Sequence, residues 1–325
     1  MLSEKTETED AAMYERNYEI LKTLYEEGAV LWPQEKQKNA AGEFDLAENM
    51  AIWNRAVARF DSIPLWSGGA PGFDDRDKLQ IQPNLIFIPG QGGNSPKSTI
   101  IVAHGGAFVC HAGHEGFHTA LHFAQLGFNT AVLTYRLRPY SRRDAMADMS
   151  RAIRLLRARK EELGITDQIA VLGFSAGGML SGNCATHYDR GDPTAADPVE
   201  RCSSRPDAAV LCYGAFATVA FPEGIMRSTF GQPDRAEKLY LAPEKNVTTD
   251  TPPFFIWQTI SDDPRNAFVL GSALTEAGVP FDLHCFETGH HGVGLADGHC
   301  DDGCDDAHLR KWVDLCASWL RVHGF

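Results

Sequence analysis

The chain of 325 residues contains no run of about 20 apolar residues, the length that a membrane-spanning helix needs. Basic residues are also scarce: 30 lysines and arginines stand against 43 aspartates and glutamates, which leaves a net charge of −13. DNA, RNA and anionic membrane surfaces are themselves negative, so this charge argues against all three as partners. The first ten residues lack both a basic start and an apolar segment. No signal peptide is therefore recognisable, and we expect a cytoplasmic protein.

A disulfide framework is missing too, because the eight cysteines are scattered along the chain. Buried thiols in a reducing compartment are predicted where the neighbours are apolar, at Cys110, Cys184, Cys212 and Cys285. Segment 299–308 combines two cysteines, two histidines and four aspartates. It fits a zinc site, a Cys300–Cys304 disulfide or a solvated acidic loop. The loop is favoured, because Gly303 interrupts any helix there and the paired Cys-x-x-Cys spacing is absent.

From residue 63 onward, short apolar segments alternate with segments of helical periodicity. The predicted strands are 84–88, 99–103, 129–135, 168–173, 207–212, 253–258 and 281–286. The predicted helices are 116–126, 144–163, 176–187, 266–277 and 306–321. Near-continuous apolar strands separated by helices predict an α/β fold with a mainly parallel sheet covered on both faces.

The first 61 residues have a different hydrophobic pattern. Residues 10–60 are mostly amphipathic and helical, and the polar stretch from Pro33 to Gly42 resembles a linker. We therefore divide the chain into a helical N-terminal extension, residues 1–61, and an α/β domain, residues 62–325. The extension is compatible with an added helical layer, a cap over the domain or an oligomer contact.

Residues 171–178, Val-Leu-Gly-Phe-Ser-Ala-Gly-Gly, are the most informative part of the chain. An apolar strand turns at Ser175 into a helix of small residues, which is the pattern of a nucleophile elbow. The turn is so tight that Gly173 and Gly177 have a steric reason to lack side chains. Ser175 is the predicted nucleophile, and the N–H of Ala176 lies at a helix N-terminus, where it can receive negative charge.

A serine nucleophile needs a histidine base and an acid that orients the base. In hydrolases with this elbow the chain order is serine, acid, histidine. Asp262 and Asp263 follow one late strand, and His290 and His291 follow the last strand. The predicted catalytic residues are Ser175, Asp263 and His291, with Asp262 and His290 as the alternatives.

A second source of N–H groups is expected after an early strand. Residues 101–108, Ile-Val-Ala-His-Gly-Gly-Ala-Phe, are similar to the HGGG-type oxyanion loop of esterases. Small residues allow the backbone to approach the substrate closely. The predicted oxyanion hole consists of the N–H groups of Gly106, Ala107 and Ala176.

Several longer stretches resemble the α/β-hydrolase carbohydrate esterases related to acetylxylan esterases, the lipase-like BD-FAE group. The resemblance covers roughly residues 62–325 and is carried by Ile63–Gly72, His114–Gly116, Tyr135–Leu137, Gly173–Gly178, Thr249–Pro253 and Gly289–Leu295. It implies an α/β-hydrolase fold and a serine esterase that uses no metal and no organic cofactor. It also matches His291, before Gly292, to the family's base and Asp263, before Pro264, to its acid.

The expected function is hydrolysis of short acyl esters, with acetyl groups on carbohydrate as the expected substrate. Segments 188–206 and 214–252 are the expected walls of the substrate pocket, because they are long excursions at strand ends. Two other functions stay open at this point. One is a serine peptidase of the prolyl-oligopeptidase type, and the other is a non-catalytic binding protein with a hydrolase fold. The expected partner is a small-molecule or oligosaccharide ester, and an oligomer through the N-terminal helices is possible.

Overall fold

The apolar segments form one eight-stranded sheet in the computed structural model, which describes residues 7–93, 97–217 and 234–325. The strands are β1 (Ile63–Pro64), β2 (Asn84–Ile88), β3 (Lys97–Ala103), β4 (Asn129–Thr134), β5 (Ile165–Phe174), β6 (Ala208–Cys212), β7 (Phe254–Thr259) and β8 (Phe281–Phe286). Their order is β1-β2-β4-β3-β5-β6-β7-β8. Strands β3 to β8 are parallel, and β1 and β2 are antiparallel to their neighbours. The predicted α/β class is confirmed.

Both faces of the central part of the sheet are covered, which explains why β2, β4, β6 and β7 are buried along their whole length. Successive residues point to opposite faces, so Ile101 and Val171 belong to one hydrophobic cluster while Val102 and Leu172 belong to the other. The helices are α1 (Glu7–Glu27), α2 (Leu46–Val57), α3 (Thr119–Gln125), α4 (Arg142–Ala158), α5 (Lys160–Leu163), α6 (Ala176–Thr186), α7 (Arg235–Tyr240), α8 (Pro243–Asn246), α9 (Arg265–Ala277) and α10 (Trp312–Val322). Among the described residues, none of these has both the length and the apolar character that a membrane crossing requires.

The predicted helix 116–126 begins as a π-helical turn, His114–His118, and becomes α-helical at Thr119. Two other predicted helices differ more. The segment 144–163 is divided at Arg159, whose φ of −107° departs from the helical value, into α4 and α5. The segment 306–321 begins its α-helix only at Trp312. The cause is Asp306, whose side chain accepts the N–H groups of His308 and Leu309 and holds an irregular turn in front of α10.

The described part of the N-terminal segment packs into the same core as the sheet. Tyr14 and Met50 belong to one hydrophobic cluster, and Leu21, Leu24 and Trp53 belong to the other. Full burial of such side chains contributes about 1.5–3 kcal/mol each. The boundary at residue 61 and an oligomer contact through these helices stay predictions, but the apolar faces of α1 and α2 are covered by the chain itself.

Candidate active site

Ser175 lies at the carboxyl edge of the sheet, in the sharp turn between β5 and α6. Its backbone has φ 51° and ψ −114°, a conformation that side-chain-bearing residues rarely adopt. The close approach that was predicted around the turn is present. A Cβ on Gly173 would lie 2.0 Å from the carbonyl oxygen of Gly177, and a Cβ on Gly177 would lie 2.1 Å from that of Ala103. Any side chain at either glycine would therefore push the turn apart.

Three side chains form a continuous hydrogen-bonded chain at this edge. Ser175 Oγ lies 2.7 Å from Nε2 of His291, and Nδ1 of the same ring lies 2.7 Å from Oδ2 of Asp262. The His291 side chain is 51% exposed and Asp262 is 23% exposed, so the ring faces the solvent-filled cleft while its acid is shielded. The order nucleophile, base and orienting acid is the arrangement that activates a serine hydroxyl.

The acid in contact with His291 is Asp262, and the expectation of Asp263 is corrected here. Asp263 has φ 47°, in the left-handed region, directly after the 3-10 turn Ile260–Asp262. This conformation directs its carboxylate to Arg265, with two contacts of 2.7 Å to Nε and Nη2. Asp262 is thus left to face the histidine loop.

His290 takes no part in the contact with Ser175. Its Nε2 lies 3.0 Å from Oδ2 of Asp302, and its Nδ1 lies 3.0 Å from the carbonyl oxygen of His291. The loop is also fixed from the β7 side, because Ser261 Oγ donates to the carbonyl oxygen of Gly289 at 3.0 Å. These contacts hold the backbone that carries His291.

The predicted oxyanion loop has the backbone that close approach to a substrate requires. Gly106 has φ 111°, and a Cβ there would lie 2.0 Å from the carbonyl oxygen of Cys110. Ala107 follows with φ 53°. Gly106, Ala107 and Ser175 line the same cavity. Within the described ranges of the chain, the N–H groups of Gly106, Ala107 and Ala176 have no acceptor in the protein, so they are available to a bound oxygen atom.

A buried carboxylate, Glu115, connects the oxyanion loop to the histidine loop. Its Oε2 accepts the N–H of Gly105 at 2.6 Å, and its Oε1 accepts the hydroxyl of Tyr213 at 2.7 Å. The Tyr213 hydroxyl in turn accepts the N–H of Gly294 at 2.9 Å, and the Tyr213 ring lies 5.2 Å from that of His291. The His114–Gly116 stretch belongs to the family resemblance, but no local pattern in the sequence predicts this contact.

The other side of the oxyanion loop is held by helix α2. Asn49 makes two hydrogen bonds with the backbone of His111, at 2.8 and 2.9 Å, and Trp53 stacks on the His111 ring at 4.3 Å. Nδ1 of His111 lies 2.8 Å from Nε2 of His104, whose own Nδ1 lies 2.6 Å from the carbonyl oxygen of Gly105. Burial lowers the pKa of His104 to about 4. Burial also lowers the pKa of His111 well below its ordinary value. Both rings are therefore neutral, and one N–H is donated along each contact.

Charges around the site act on two further histidines. Burial tends to lower the pKa of His291, but the hydrogen bond and charge of Asp262, with the charge of Glu115, raise it above the ordinary value. Burial also tends to lower the pKa of His114. The hydrogen bond and charge of Asp301, with the charge of Glu115, outweigh burial and raise the pKa of that ring to about 9. Nδ1 of His114 lies 3.4 Å from Oδ1 of Asp301, and its Nε2 donates to the carbonyl oxygen of Gly292 at 2.9 Å.

Ser175 and His291 open into a cavity of about 400 Å³. One of its walls comes from the predicted linker Pro33–Gly42 and its two flanks: Gln34 and Gln37 lie within the linker, and Trp32 and Phe44 lie on either side of it. Of the described residues, none in 188–206 lines this cavity, so that expectation is wrong. The other expected wall, 214–252, includes residues 218–233, which lie outside the described residues.

The ambiguous segment 299–308 forms part of the same wall. All eight cysteines are free, which excludes the Cys300–Cys304 disulfide in this structure. In the described part of the chain, no group of three or more His, Cys, Asp or Glu side chains is arranged to hold a metal ion. Cys184 and Cys212 are buried as predicted, and Cys110 is only half-buried. Cys285 is exposed because it lies on the edge strand β8.

Comparison with known proteins agrees with this geometry. A model of the BD-FAE family matches residues 86–266, more than half of the 325 residues. The chain belongs to the BD-FAE family. The α/β-hydrolase fold that the resemblance implied is confirmed by the parallel sheet and by solved structures of similar fold.

Three similar proteins, and the share of each chain that is covered, define how far the likeness extends. Endo-1,4-beta-xylanase B of Butyrivibrio fibrisolvens is 31% identical over 228 residues, which cover 66% of this chain and 35% of that protein. The chain thus spans about a third of the length of this curated relative. The acetyl ester-xyloside bifunctional hydrolase of Caldicellulosiruptor lactoaceticus is 37% identical, with a TM-score of 0.75 over 81% of this chain and 96% of that one. A sugar hydrolase of Lactococcus lactis is 25% identical, with a TM-score of 0.61 over 77% and 96% of the two chains.

Proposed function

We propose that this protein removes short acyl groups, above all acetyl, from carbohydrate esters through Ser175, His291 and Asp262. The observation that carries the proposal is the continuous hydrogen-bonded chain beside the cavity. Ser175 Oγ lies 2.7 Å from Nε2 of His291, and Nδ1 of His291 lies 2.7 Å from Oδ2 of Asp262. A complete chain of this kind also argues against a non-catalytic binding protein. Membership of the BD-FAE family favours ester over peptide substrates.

In the first half-reaction Ser175 Oγ attacks the ester carbonyl carbon while Nε2 of His291 takes the hydroxyl proton. The carbonyl oxygen becomes an oxyanion, which the N–H groups of Gly106, Ala107 and Ala176 stabilise. One such donor is worth about 3–4 kcal/mol of transition-state stabilisation. The intermediate then expels the alcohol, which receives the proton from His291, and the acyl group stays on Ser175.

In the second half-reaction water replaces the alcohol. His291 removes a proton from the water, whose oxygen attacks the acyl carbon, and the intermediate releases the carboxylic acid as Ser175 regains its proton. Asp262 holds the imidazole in the tautomer with Nδ1–H and stabilises the cationic ring that forms in each step. No atom of a cofactor is needed for this sequence.

The substrate class is supported by the cavity and by the relatives. The walls supply aromatic rings, amides and carboxylates, through Trp32, Phe44, Gln34, Gln37, Asp301 and Asp302. This mixture suits a hydroxylated alcohol better than a long alkyl chain. The names of the relatives refer to xylan, to an acetyl ester and xyloside, and to sugar, which points to the same class.

The proposal is tested with p-nitrophenyl esters of graded acyl length and with acetylated xylo-oligosaccharides, each with and without a chelator. We expect kcat/KM to fall at least about tenfold from acetyl to octanoyl, which corresponds to roughly 1.4 kcal/mol in the barrier. Acetate release from the oligosaccharides is expected to be unaffected by the chelator. A maximum at octanoyl, or no release of acetate from any sugar ester, contradicts the carbohydrate substrate and leaves the esterase chemistry standing.

A further inference from the structure

The segment between α1 and α2, residues 28–45, lines part of the active-site cavity, and we name it the N-terminal strap. Four of its residues line the cavity together with Ser175 and His291: Trp32, Gln34, Gln37 and Phe44. The catalytic floor is therefore built from the α/β domain, and one wall is built from a separate part of the chain. A wall of this kind contacts the substrate without taking part in the chemistry.

The strap is fixed in position by hydrogen bonds. The backbone N–H of Trp32 donates to Asp301 Oδ1 at 2.8 Å, and the indole N–H donates to the carbonyl oxygen of Lys36 at 3.1 Å. Gln37 Nε2 donates to the carbonyl oxygen of Trp32 at 2.8 Å. Farther along, Lys38 and Phe44 pair as an antiparallel bridge. The cavity wall is thus preformed, so substrate binding does not have to order it.

Phe44 is the unusual side chain in the strap, because it is 50% exposed although it is large and apolar. Its ring lies edge-on against the ring of Trp32, with centroids 4.8 Å apart and planes at 76°, and Trp32 itself is 4% exposed. A buried aromatic ring thus supports a second ring that stays open to the cavity. Two polar groups accompany it. Within the described residues, Gln34 has no side-chain hydrogen bond, and the amide oxygen of Gln37 has no partner.

The chemistry indicates which half of the ester lies against the strap. Nε2 of His291 must pass its proton to the leaving oxygen, so the alcohol lies on the histidine side of the scissile bond. The strap is anchored on this side, since Asp301 binds the N–H of Trp32 and the adjacent Asp302 binds His290. The strap therefore faces the alcohol, while the acyl carbon lies over Ser175.

We propose that the N-terminal strap forms the alcohol subsite, in which Phe44 stacks on the apolar face of a pyranose ring and Gln34 and Gln37 bind its hydroxyl groups. This inference rests on the carbohydrate substrate proposed above and identifies the residues that select it. An aromatic ring offers a sugar a flat apolar surface, and amides offer both a donor and acceptors for hydroxyls. An alcohol too small to reach the strap gains nothing from either.

The test compares F44A with F268A, which removes a phenylalanine of equal exposure, 50%, from α9 outside the cavity. The substrates are acetylated xylo-oligosaccharides and ethyl acetate, whose alcohol is too short to need the strap. We expect F44A to lose about tenfold in kcat/KM on the oligosaccharides, mainly through KM, and less than about twofold on ethyl acetate. F44Y should restore the oligosaccharide activity because it keeps the ring, and F268A should match the unmodified protein on both substrates.

Three results overturn the inference. Unchanged oligosaccharide kinetics in F44A show that Phe44 does not touch the sugar. An equal loss on both substrates shows that the strap only supports the catalytic residues. Unmodified protein that cleaves ethyl acetate but no sugar ester refutes the proposed substrate itself, and this outcome is recognised before any variant is made.

Discussion

Oδ2 of Asp262 lies 2.7 Å from Nδ1 of His291, while the carboxylate of the adjacent Asp263 is bound to Arg265. Asp262→Asn removes the negative charge and presents an amide that favours the wrong imidazole tautomer. We expect kcat on p-nitrophenyl acetate to fall by about 10³–10⁴-fold. Asp263→Asn is the matched control, and its activity should stay within about threefold of the unmodified protein. Comparable losses in the two variants would return the role to Asp263.

The elbow itself is tested with Ser175→Ala and with the two histidines. Ser175→Ala should fold normally, since it removes one hydroxyl, and should lose at least about 10⁴-fold in kcat. His291→Ala should behave like Ser175→Ala, whereas His290→Ala should be milder, because His290 contacts Asp302 and not Ser175. Covalent labelling with a fluorophosphonate measures the reactivity of the Ser175 hydroxyl directly. Retained labelling of Ser175→Ala, or a reversed ranking of the histidines, would contradict the assignment.

Much of this architecture could be predicted from local sequence. Strands β2 and β8 have the predicted limits: β2 is a nearly continuous apolar run, and β8 alternates apolar and polar residues, and both are bounded by turn residues. The turn at Ser175 follows from steric demands within a few residues of it. In both cases the structure is decided by neighbours along the chain, which a single sequence displays.

The residues that escaped prediction are placed by contacts distant in sequence. The choice between Asp262 and Asp263 depends on one left-handed residue, and a doublet of identical side chains carries no signal for it. Trp32 and Phe44 lie at the ends of a polar stretch whose position over the cavity is fixed by Asp301, about 270 residues away. Glu115 carried no local signal for its role, because its partners Gly105 and Tyr213 meet it only in the folded chain.

The pH profile of kcat/KM provides a third prediction. The base must be neutral to accept the serine proton, so activity rises with pH through the pKa of His291, which lies above the ordinary value. Glu115→Gln removes a negative charge that raises this pKa, and the midpoint should therefore move to lower pH. Asp262→Asn removes a larger influence and should move it farther.

The pH profile of Glu115→Gln also distinguishes the effect of the Glu115 charge on His291 from its effect on the position of the backbone. The amide that Glu115→Gln introduces keeps one acceptor oxygen, but its NH₂ group then faces the N–H of Gly105 or the hydroxyl of Tyr213. The value of kcat/KM at the high-pH plateau should therefore also fall, by about tenfold or more. Glu43→Gln, on the exposed part of the strap, is the control for charge alone. If kcat/KM at high pH is lower in Glu115→Gln but the midpoint of the pH profile is unchanged, Glu115 acts only by holding the backbone in place.

The last prediction concerns Asn49, through which helix α2 holds the oxyanion loop. Asn49→Ala leaves the backbone N–H and carbonyl oxygen of His111 without their partner in a buried position, which costs about 1–3 kcal/mol of stability for each unsatisfied group. Because the loop then loses its support, we expect kcat to fall about tenfold with little change in KM, measured on p-nitrophenyl acetate after a thermal-unfolding check. The control is Asn54→Ala in the same helix, whose side chain binds the carbonyl oxygen of Leu79, away from the cavity. It should lose stability but not kcat. If Asn49→Ala loses only stability as well, α2 is a structural support of the domain and not of its oxyanion hole.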